Sequence, residues 1–233
     1  REVVGAGDDA SQLSLEAVMD TESLDNVSSN HIYPASGHVI HEVYAAARAK
    51  LLQDSPHDVD RTAELHAHDI ALVKLARPWN GKRLRFSLSG DDEPKSASPN
   101  NVLVAGFGST DPDGQDVRAF TRSNGEVFFG SAPELQEVTL PLVASAACKQ
   151  AWPGAAIGPG QYCAGFENLA GKDSCSGDSG GPLVRLDEHL CPVQIGIVSW
   201  GPSPCAPGKK AYGVYSRISH FAGWIRGHVH DLR

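Results

Sequence analysis

Residues 172–184 read KDSCSGDSGGPLV, and this stretch determines how the rest of the chain is interpreted. At its centre, Ser179 lies between an aspartate and two glycines. A serine hydroxyl is a weak nucleophile that needs a neighbouring base, and the oxyanion that its attack creates needs N–H donors. The surrounding glycines let the backbone N–H groups of Gly177 and Ser179 point at one position. We therefore predict that Ser179 is a nucleophile and that these two N–H groups form its oxyanion hole.

Several other stretches resemble the trypsin/chymotrypsin family of serine endopeptidases. They are DIALVKL at 69–75, GFG at 106–108, VSWG at 198–201, YGVY at 212–215 and the closing stretch 221–229. The resemblance extends from Asp69 to the end of the chain and is weak before it. It implies an all-β fold of two packed, six-stranded antiparallel barrels with a short C-terminal helix. The first barrel is expected to be depleted if the chain really starts at Arg1.

The composition excludes several classes of protein. A length of 233 residues suits one large β domain or two small barrels, and 24 glycines with 15 prolines favour strands and turns over long helices. The formal net charge of −8 argues against nucleic acid or an anionic membrane surface as the main partner. The sequence has no run of about 18 apolar residues, so we expect no membrane span.

The five cysteines indicate an oxidising compartment, and we expect a secreted, extracellular protein. Residues 1–30 show no signal-peptide pattern, and we expect that a mature secreted protein would already have lost one. The resemblance pairs Cys148 with Cys163 and Cys175 with Cys205. Cys191 is then left over, either as a free buried thiol or with a partner on a segment outside this chain, and we favour the second.

Two aspartates acquire roles from the resemblance. Asp69 matches the buried acid of the catalytic triad, which orients the histidine and stabilises its charged form. The alternative, a helix or turn cap, is disfavoured because an apolar run follows Asp69 and a buried acid must be paired. Asp178 matches the aspartate that binds the new amino terminus when a zymogen is cut. That ion pair shapes the oxyanion hole, and the carboxylate would be costly to bury alone.

Three positions resemble the primary specificity pocket of trypsin-like members. Asp173, six residues before Ser179, matches the acid at the pocket base that pairs with a substrate Arg or Lys. Gly201 and Gly213 match the two wall positions where side chains would block entry. Together they favour a pocket for basic residues over an apolar or small one, although Asp173 alone fits an exposed loop acid. The implied substrates are proteins or peptides with Arg or Lys, with no cofactor and no metal.

The catalytic histidine has no counterpart in this sequence. In the family it lies in a Thr-Ala-Ala-His-Cys segment well before the acid, and that segment does not occur here. The chain has ten histidines, but none has that setting. His66 and His68 are too close to Asp69 in sequence to reproduce the arrangement, and His41 matches a non-catalytic strand end. We therefore predict surface or loop histidines, with the catalytic one on a separate N-terminal segment.

We interpret the whole of 1–233 as one protease domain in two parts. Residues 1–90 are predicted to hold the remainder of the first barrel with long loops. Residues 100–233 are predicted to hold the second barrel and the C-terminal helix. The polar connection between them is rich in Pro and Ser, which makes it the natural point of division.

Local patterns in the first part are less regular. Residues 8–29 are acidic and serine-rich, which indicates a long insertion or mobile loop. Residues 37–44, GHVIHEVY, resemble a family strand. The stretch 45–52 has helix-forming composition, and Pro56 should end any helix there. The continuous apolar run at 70–75 predicts a strand buried on both faces.

Three hypotheses account for these observations. The favoured one is the larger part of a trypsin-like protease whose histidine segment was cleaved off or is supplied separately. The second is a protease homologue that binds partners without cutting. The third is a different hydrolase, such as an esterase with the same serine elbow, but the β-rich pattern and the order of Asp69 before Ser179 argue against it.

Overall fold

The computed structural model describes residues 15–25, 27–54, 63–91, 100–113, 116, 118–121, 127–208 and 211–230. Strands predominate among them. The strands are β1 (Glu16–Val18), β2 (Ile32–Ile40), β3 (Ala71–Leu75), β4 (Arg85–Phe86), β5 (Asn101–Gly106), β6 (Arg118–Thr121), β7 (Val127–Gly130), β8 (Gln136–Val143), β9 (Gln161–Ala164), β10 (Pro182–Leu186), β11 (Pro192–Trp200) and β12 (Gly213–Arg217). The helices are α1 (Glu42–Asp54), α2 (Ala63–Ala67), α3 (Ser145–Ala151) and α4 (Ala222–His228).

Six strands of the second part close into an antiparallel barrel. Their order is β10-β5-β8-β9-β12-β11, and β11 pairs back with β10. Inward residues alternate along the strands, as at Val102 and Val104 of β5, because successive side chains of a strand point to opposite faces. The core contains Val102, Val104, Leu140, Ala164, Leu183, Ile195, Val198 and Tyr215. The predicted β-barrel fold with a C-terminal helix is confirmed.

Three strands of the first part form a sheet in the order β1-β2-β3, while the fourth, β4, pairs in parallel with β11 of the second part. The predicted strand at 70–75 is present as β3, but the prediction that it is buried on both faces is wrong. Val73 is 52% exposed, and in the described part of the chain β3 pairs with β2 alone. The apolar run therefore belongs to an edge strand whose faces are largely open to solvent.

The segment before β2 is also more ordered than its composition suggests. The prediction of a loop throughout 8–29 is wrong at Glu16–Val18, which pairs with β2 in the register Val18↔Ile32. Residues 1–14 lie outside the described residues. The strand predicted at 37–44 begins earlier, at Ile32, and ends at Ile40. The predicted helix is present as α1 and ends at Asp54, while Pro56 lies outside the described residues.

The C-terminal helix joins the two parts of the fold. Ile218, Phe221 and Ile225 pack with Ile70, which immediately precedes β3. This apolar cluster places the segment that carries Asp69 against the second barrel. Among the described residues, no helix is both long enough and apolar enough to cross a membrane.

Both predicted disulfides are confirmed, since Cys148 is bonded to Cys163 and Cys175 to Cys205. Cys191 is a free thiol within this chain. It is exposed, so the alternative of a free buried thiol is wrong.

Candidate active site

The loop 176–181 carries the predicted nucleophile, Ser179, and is called the nucleophile loop below. It is a tight turn between the Cys175–Cys205 disulfide and β10. The Asp178 N–H donates to the Cys175 carbonyl at 3.0 Å, and the Gly181 N–H donates to the Asp178 carbonyl at 2.8 Å. Gly177 has a φ of +96°, a left-handed conformation that favours glycine. These turns leave the Ser179 side chain exposed to solvent. The residues after it continue as a strand, which differs from the strand-to-helix elbow of the esterase hypothesis.

The predicted oxyanion donors are available. The N–H groups of Gly177 and Ser179 donate no hydrogen bond to the described part of the chain. The Gly180 N–H, in contrast, is bound to the Val198 carbonyl at 2.8 Å. Two unbound N–H groups beside an exposed serine hydroxyl are suited to an oxyanion that forms on a carbonyl attacked by that serine.

Asp69 is held by two hydroxyl groups of the second barrel. The Ser199 Oγ donates to Asp69 Oδ2 at 2.6 Å, and the Ser216 Oγ donates to the Asp69 carbonyl at 2.7 Å. Burial raises the pKa of the Asp69 carboxyl, and the hydrogen bond from Ser199 opposes that rise. The carboxylate is therefore oriented by Ser199 although it lies in the first part of the chain.

The nucleophile loop and Asp69 are connected through β11. Val198 exchanges hydrogen bonds with both residues that follow Ser179: its carbonyl accepts from Gly180 and its N–H donates to the Gly181 carbonyl at 2.9 Å. The next residue of β11 is Ser199, which binds the Asp69 carboxylate. Two neighbouring residues of one strand thus bring the two predicted catalytic groups to the same region.

The three predicted pocket residues lie together. A Cβ on Gly213 would lie 2.8 Å from Asp173 Oδ1, and a Cβ on Gly201 would lie 3.5 Å from the Gly213 Cα. Asp173 Oδ1 also accepts from the Ser174 N–H at 2.8 Å. Any side chain at 213 would displace the Asp173 carboxylate. Glycine at this position is therefore required by close approach.

The carboxyl group of Asp173 is electrostatically unusual. Burial raises its pKa to about 7, although hydrogen bonds from Ser174 and Tyr215 favour the charged form. The Tyr215 hydroxyl is 3.5 Å from Asp173 Oδ1, and burial raises the pKa of that tyrosine as well. A carboxyl group whose pKa is raised by burial has a marked preference for a cationic partner, because the cation offsets the lost hydration.

Asp178 is bound by backbone groups on both of its oxygens. Its Oδ1 accepts from the Gly108 N–H and its Oδ2 from the Cys175 N–H, each at 2.9 Å. Burial nevertheless raises the pKa of this carboxyl. Asp173 and Asp178 both line one cavity of about 510 Å³, which is bordered by the Cys175–Cys205 disulfide.

Three histidines make aromatic contacts that the sequence did not predict. His66 stacks on Trp200 with 4.7 Å between ring centroids and an interplanar angle of 21°. Burial lowers the pKa of His66, while the nearby charge of Asp69 opposes that shift. His41 and His68 contact each other and Phe221 in front of the C-terminal helix. Among the described residues, no group of three or more His, Cys, Asp or Glu could hold a metal ion.

Sequence reasoning missed several residues that build this site. Ser199 and Trp200 lie within the VSWG stretch, which was recognised without a role for either side chain. Ser216 and Gln161 carried no signal, because each acts on residues about a hundred positions or more away in sequence. Their presence as buried polar side chains inside a barrel could be recognised only from the fold.

Comparisons with known proteins agree with this geometry. The family model described as Trypsin matches residues 31–225. Trypsin Blo t 3 of Blomia tropicalis is 36% identical over 168 residues, covering 69% of this chain and 54% of that protein. Trypsin of Phaedon cochleariae is 35% identical over 162 residues, covering 68% and 53%. Transmembrane protease serine 11G of Rattus norvegicus is 34% identical over 191 residues, covering 81% and 37%.

The chain spans about half the length, or less, of these curated relatives. The family match nevertheless includes both predicted catalytic residues and all three pocket positions. The barrel, the exposed Ser179 and the Asp69–Ser199 contact are consistent with that match. The chain belongs to the trypsin family of serine proteases.

Proposed function

We propose that this chain is the nucleophile- and substrate-binding part of a serine endopeptidase that cleaves after Arg or Lys. The observation that carries the proposal is the Asp173 carboxyl, whose pKa burial raises to about 7 beside the small residues Gly201 and Gly213. A substrate guanidinium or ammonium group would pair with this carboxylate and restore the interactions lost on burial. An apolar substrate would leave it unpaired, which selects against that substrate.

The reaction would proceed through an acyl-enzyme. Ser179 Oγ forms a bond to the carbonyl carbon while a histidine takes its proton, and the N–H groups of Gly177 and Ser179 bind the oxyanion. The C–N bond then breaks as the histidine returns that proton to the leaving amine. Water hydrolyses the ester by the same route. Asp69, oriented by Ser199, would hold the tautomer of the histidine.

The histidine is proposed to come from a separate N-terminal segment. The first-part sheet has features that would receive another strand: the outer edge of β3 and the exposed apolar side chains Val39 and Val73. Open edges and apolar faces of this kind favour pairing with further chain. By this proposal residues 1–90 and 100–233 act as two parts of one protease domain.

Activation is proposed to act through Asp178. Its oxygens already accept two N–H groups, yet burial still raises the pKa of the carboxyl, so a positive amino terminus would be stabilising there. Such an ion pair would set the nucleophile loop, since Asp178 directly precedes Ser179. The two disulfides are consistent with an extracellular, secreted protein, which is also part of the proposal.

Two measurements on the purified protein test the proposal. N-terminal sequencing and intact mass of every polypeptide in the sample should reveal a segment that contains Ala-His-Cys. A fluorophosphonate probe should then label Ser179, and the labelled sample should have lost cleavage of Arg and Lys peptides. Benzamidine should protect Ser179, and the Asp173→Asn substitution should remove that protection.

The alternative of a non-cutting homologue gives a different result. A single polypeptide that binds benzamidine but shows no labelling of Ser179 would establish a binding or regulatory module instead. Absence of benzamidine binding by the wild-type protein would refute the assignment of the Asp173 pocket itself. Equal cleavage after Phe and after Arg would refute the proposed specificity.

A further inference from the structure

Two buried polar side chains of the second barrel hold the segment that carries Asp69. Gln161 on β9 and Ser216 on β12 are directly paired in the sheet and are 8% and 1% exposed. The Gln161 Nε2 donates to the His66 carbonyl at 3.0 Å, and the Ser216 Oγ donates to the Asp69 carbonyl at 2.7 Å. One pair of neighbouring residues in the barrel therefore binds two carbonyl groups of the segment 66–69.

The Gln161 amide satisfies both of its neighbours in one orientation only. Its Oε1 accepts from the Gly158 N–H at 3.0 Å, while its Nε2 donates to His66. A flipped amide would place its donor against an N–H and its acceptor against a carbonyl. Because buried polar groups without partners are costly, this arrangement is strongly favoured. Gln161 is therefore a specific link between the two parts of the chain.

The segment 66–69 depends on such contacts for its position. It begins within the last turn of α2, which has only five residues, and a helix this short has little stability of its own. The segment is also held by side chains, since His66 stacks on Trp200 and Asp69 accepts from Ser199. Loss of the Gln161 bond would release one end of the segment while Ser199 and Ser216 still hold the other.

We propose that Gln161 is a positioning residue for Asp69. It acts through the backbone of 66–69, by fixing the His66 carbonyl against β9 and thereby the position of the Asp69 carboxylate. That the position of Asp69 matters for catalysis rests on the proposed function. The mechanical link between Gln161 and His66 is independent of it, so the two are tested separately.

Two substitutions distinguish loss of the hydrogen bond between Gln161 and the His66 carbonyl from the general effect of replacing a glutamine. In Gln161→Glu, the ionised carboxylate still accepts from the Gly158 N–H but presents an oxygen to the His66 carbonyl, so the link breaks at pH values where this carboxyl is ionised. Gln161→Met removes both hydrogen bonds and keeps a similar length. The matched control is Gln194→Met, because the Gln194 Nε2 donates to the Gly196 carbonyl of its own strand at 3.1 Å.

The first readout is the NMR spectrum of His66. Because the imidazole is stacked on the indole of Trp200, its protons should be shifted upfield by the ring current. This shift should disappear in both Gln161 variants and persist in Gln194→Met. The pKa of His66, which burial lowers, should rise toward the ordinary value of about 6.5 in both Gln161 variants. Unchanged His66 signals in Gln161→Glu would overturn the proposal.

A measurement on the unmodified protein covers the case in which both variants fail to fold. The Gln161 side-chain amide protons should exchange slowly with solvent and show a nuclear Overhauser effect to the backbone next to His66. Fast exchange without that effect would also overturn the link.

The effect of Gln161 on catalysis is measured on the protein with its histidine segment present. We expect kcat to fall by about 10- to 100-fold in Gln161→Glu with KM nearly unchanged, because a misplaced group impairs the chemical step more than binding. Unaltered kcat with displaced His66 signals would refute the positioning role. If the wild-type protein shows no turnover while the His66 signals still respond, the proposed function fails and the link stands.

Discussion

The Ser199 hydroxyl donates a hydrogen bond of 2.6 Å to Asp69 Oδ2, although the two residues are 130 positions apart in sequence. This contact lowers the pKa of a carboxyl group that burial otherwise raises. It joins β11, which is bound to the nucleophile loop, to the segment before β3. Ser199 thus couples the two parts of the fold at the point where the proposed reaction takes place.

The Ser199→Ala substitution should raise the pKa of Asp69 and destabilise the protein. A hydrogen bond to a charged group contributes about 1.5–3 kcal/mol, so the free energy of unfolding should fall by roughly that amount at neutral pH. Urea denaturation and ¹³C NMR titration of the Asp69 carboxyl measure the two effects. Ser36→Ala serves as a control, because the Ser36 hydroxyl is exposed. An unchanged Asp69 pKa in Ser199→Ala would contradict the role of this contact.

Benzamidine affinity should increase with pH through neutrality. Only the ionised Asp173 binds a cation well, and its pKa is about 7, so the ionised fraction rises from roughly 0.1 at pH 6 to roughly 0.9 at pH 8. The apparent dissociation constant should therefore fall about tenfold over this range. Calorimetry in buffers of different ionisation enthalpy should detect proton release on binding near pH 6.

The raised pKa of Asp173 also predicts the direction in which the stability of the protein changes with pH. Asp173 has a higher pKa in the folded than in the unfolded state, so the folded protein binds more protons between about pH 4 and 7 and stability falls as pH rises. Asp173→Asn should consequently raise the melting temperature at pH 8 while it abolishes benzamidine binding. The control is Glu137→Gln, at an exposed acid of the cavity that Asp173 and Asp178 line. It should change neither the melting temperature nor benzamidine binding.

The Gly108→Ala substitution should disturb the nucleophile loop, which Gly108 contacts although it lies about 70 positions earlier in the sequence. A Cβ at this position would overlap the Asp178 carboxylate. The carboxylate must therefore move away from the Gly108 N–H, which donates a hydrogen bond to it. We expect a loss of about 1–3 kcal/mol in the free energy of unfolding and weaker benzamidine binding. Gly154→Ala is the matched control, since a Cβ there meets nothing within 4 Å. Equal effects of the two substitutions would contradict this account of Asp178.

Acid should loosen the contact between α1 and the C-terminal helix. His41 lies between Phe221 and Trp224, and Trp224 donates to Glu42 at 3.1 Å. Burial, and then the charge of His68, lowers the pKa of His41; His220 and His228 act in the same direction and Glu42 opposes them. The folded protein thus disfavours the protonated ring. Stability from this group is complete above the unfolded pKa of about 6.5 and is lost as pH falls below it.

His41→Phe tests this prediction because it keeps an aromatic ring and removes the titration. The dependence of melting temperature on pH below 6.5 should become flatter. Glu42→Gln should lower the pKa of His41 further, since it removes the one neighbouring charge that favours protonation. An identical pH dependence in His41→Phe and wild type would show that other groups cause the acid sensitivity.

Much of the site could be predicted because its chemistry is encoded in short runs of sequence. The resemblance implied a pocket acid at Asp173 and a loop aspartate at Asp178, the sequence around Ser179 predicted a nucleophile, and the structure brings Asp173 to Gly213. The disulfides followed from the resemblance in the same way. The error at β3 has a physical cause: an apolar run indicates which residues prefer burial, but the number of strands available decides whether they are covered.

By itself, the sequence determined the family and, through that resemblance, the barrel with its C-terminal helix and the residue types at the proposed nucleophile and pocket, since the motifs that carry the resemblance are short and local. The tertiary structure alone decided which side chains support them. Ser199 reaches Asp69, Gln161 reaches the His66 carbonyl and His66 stacks on Trp200. These partners are distant in the chain, and no motif indicates which of them meet. Barrel closure and cross-strand register bring them together, because only a folded sheet converts distance along the chain into hydrogen-bonding distance.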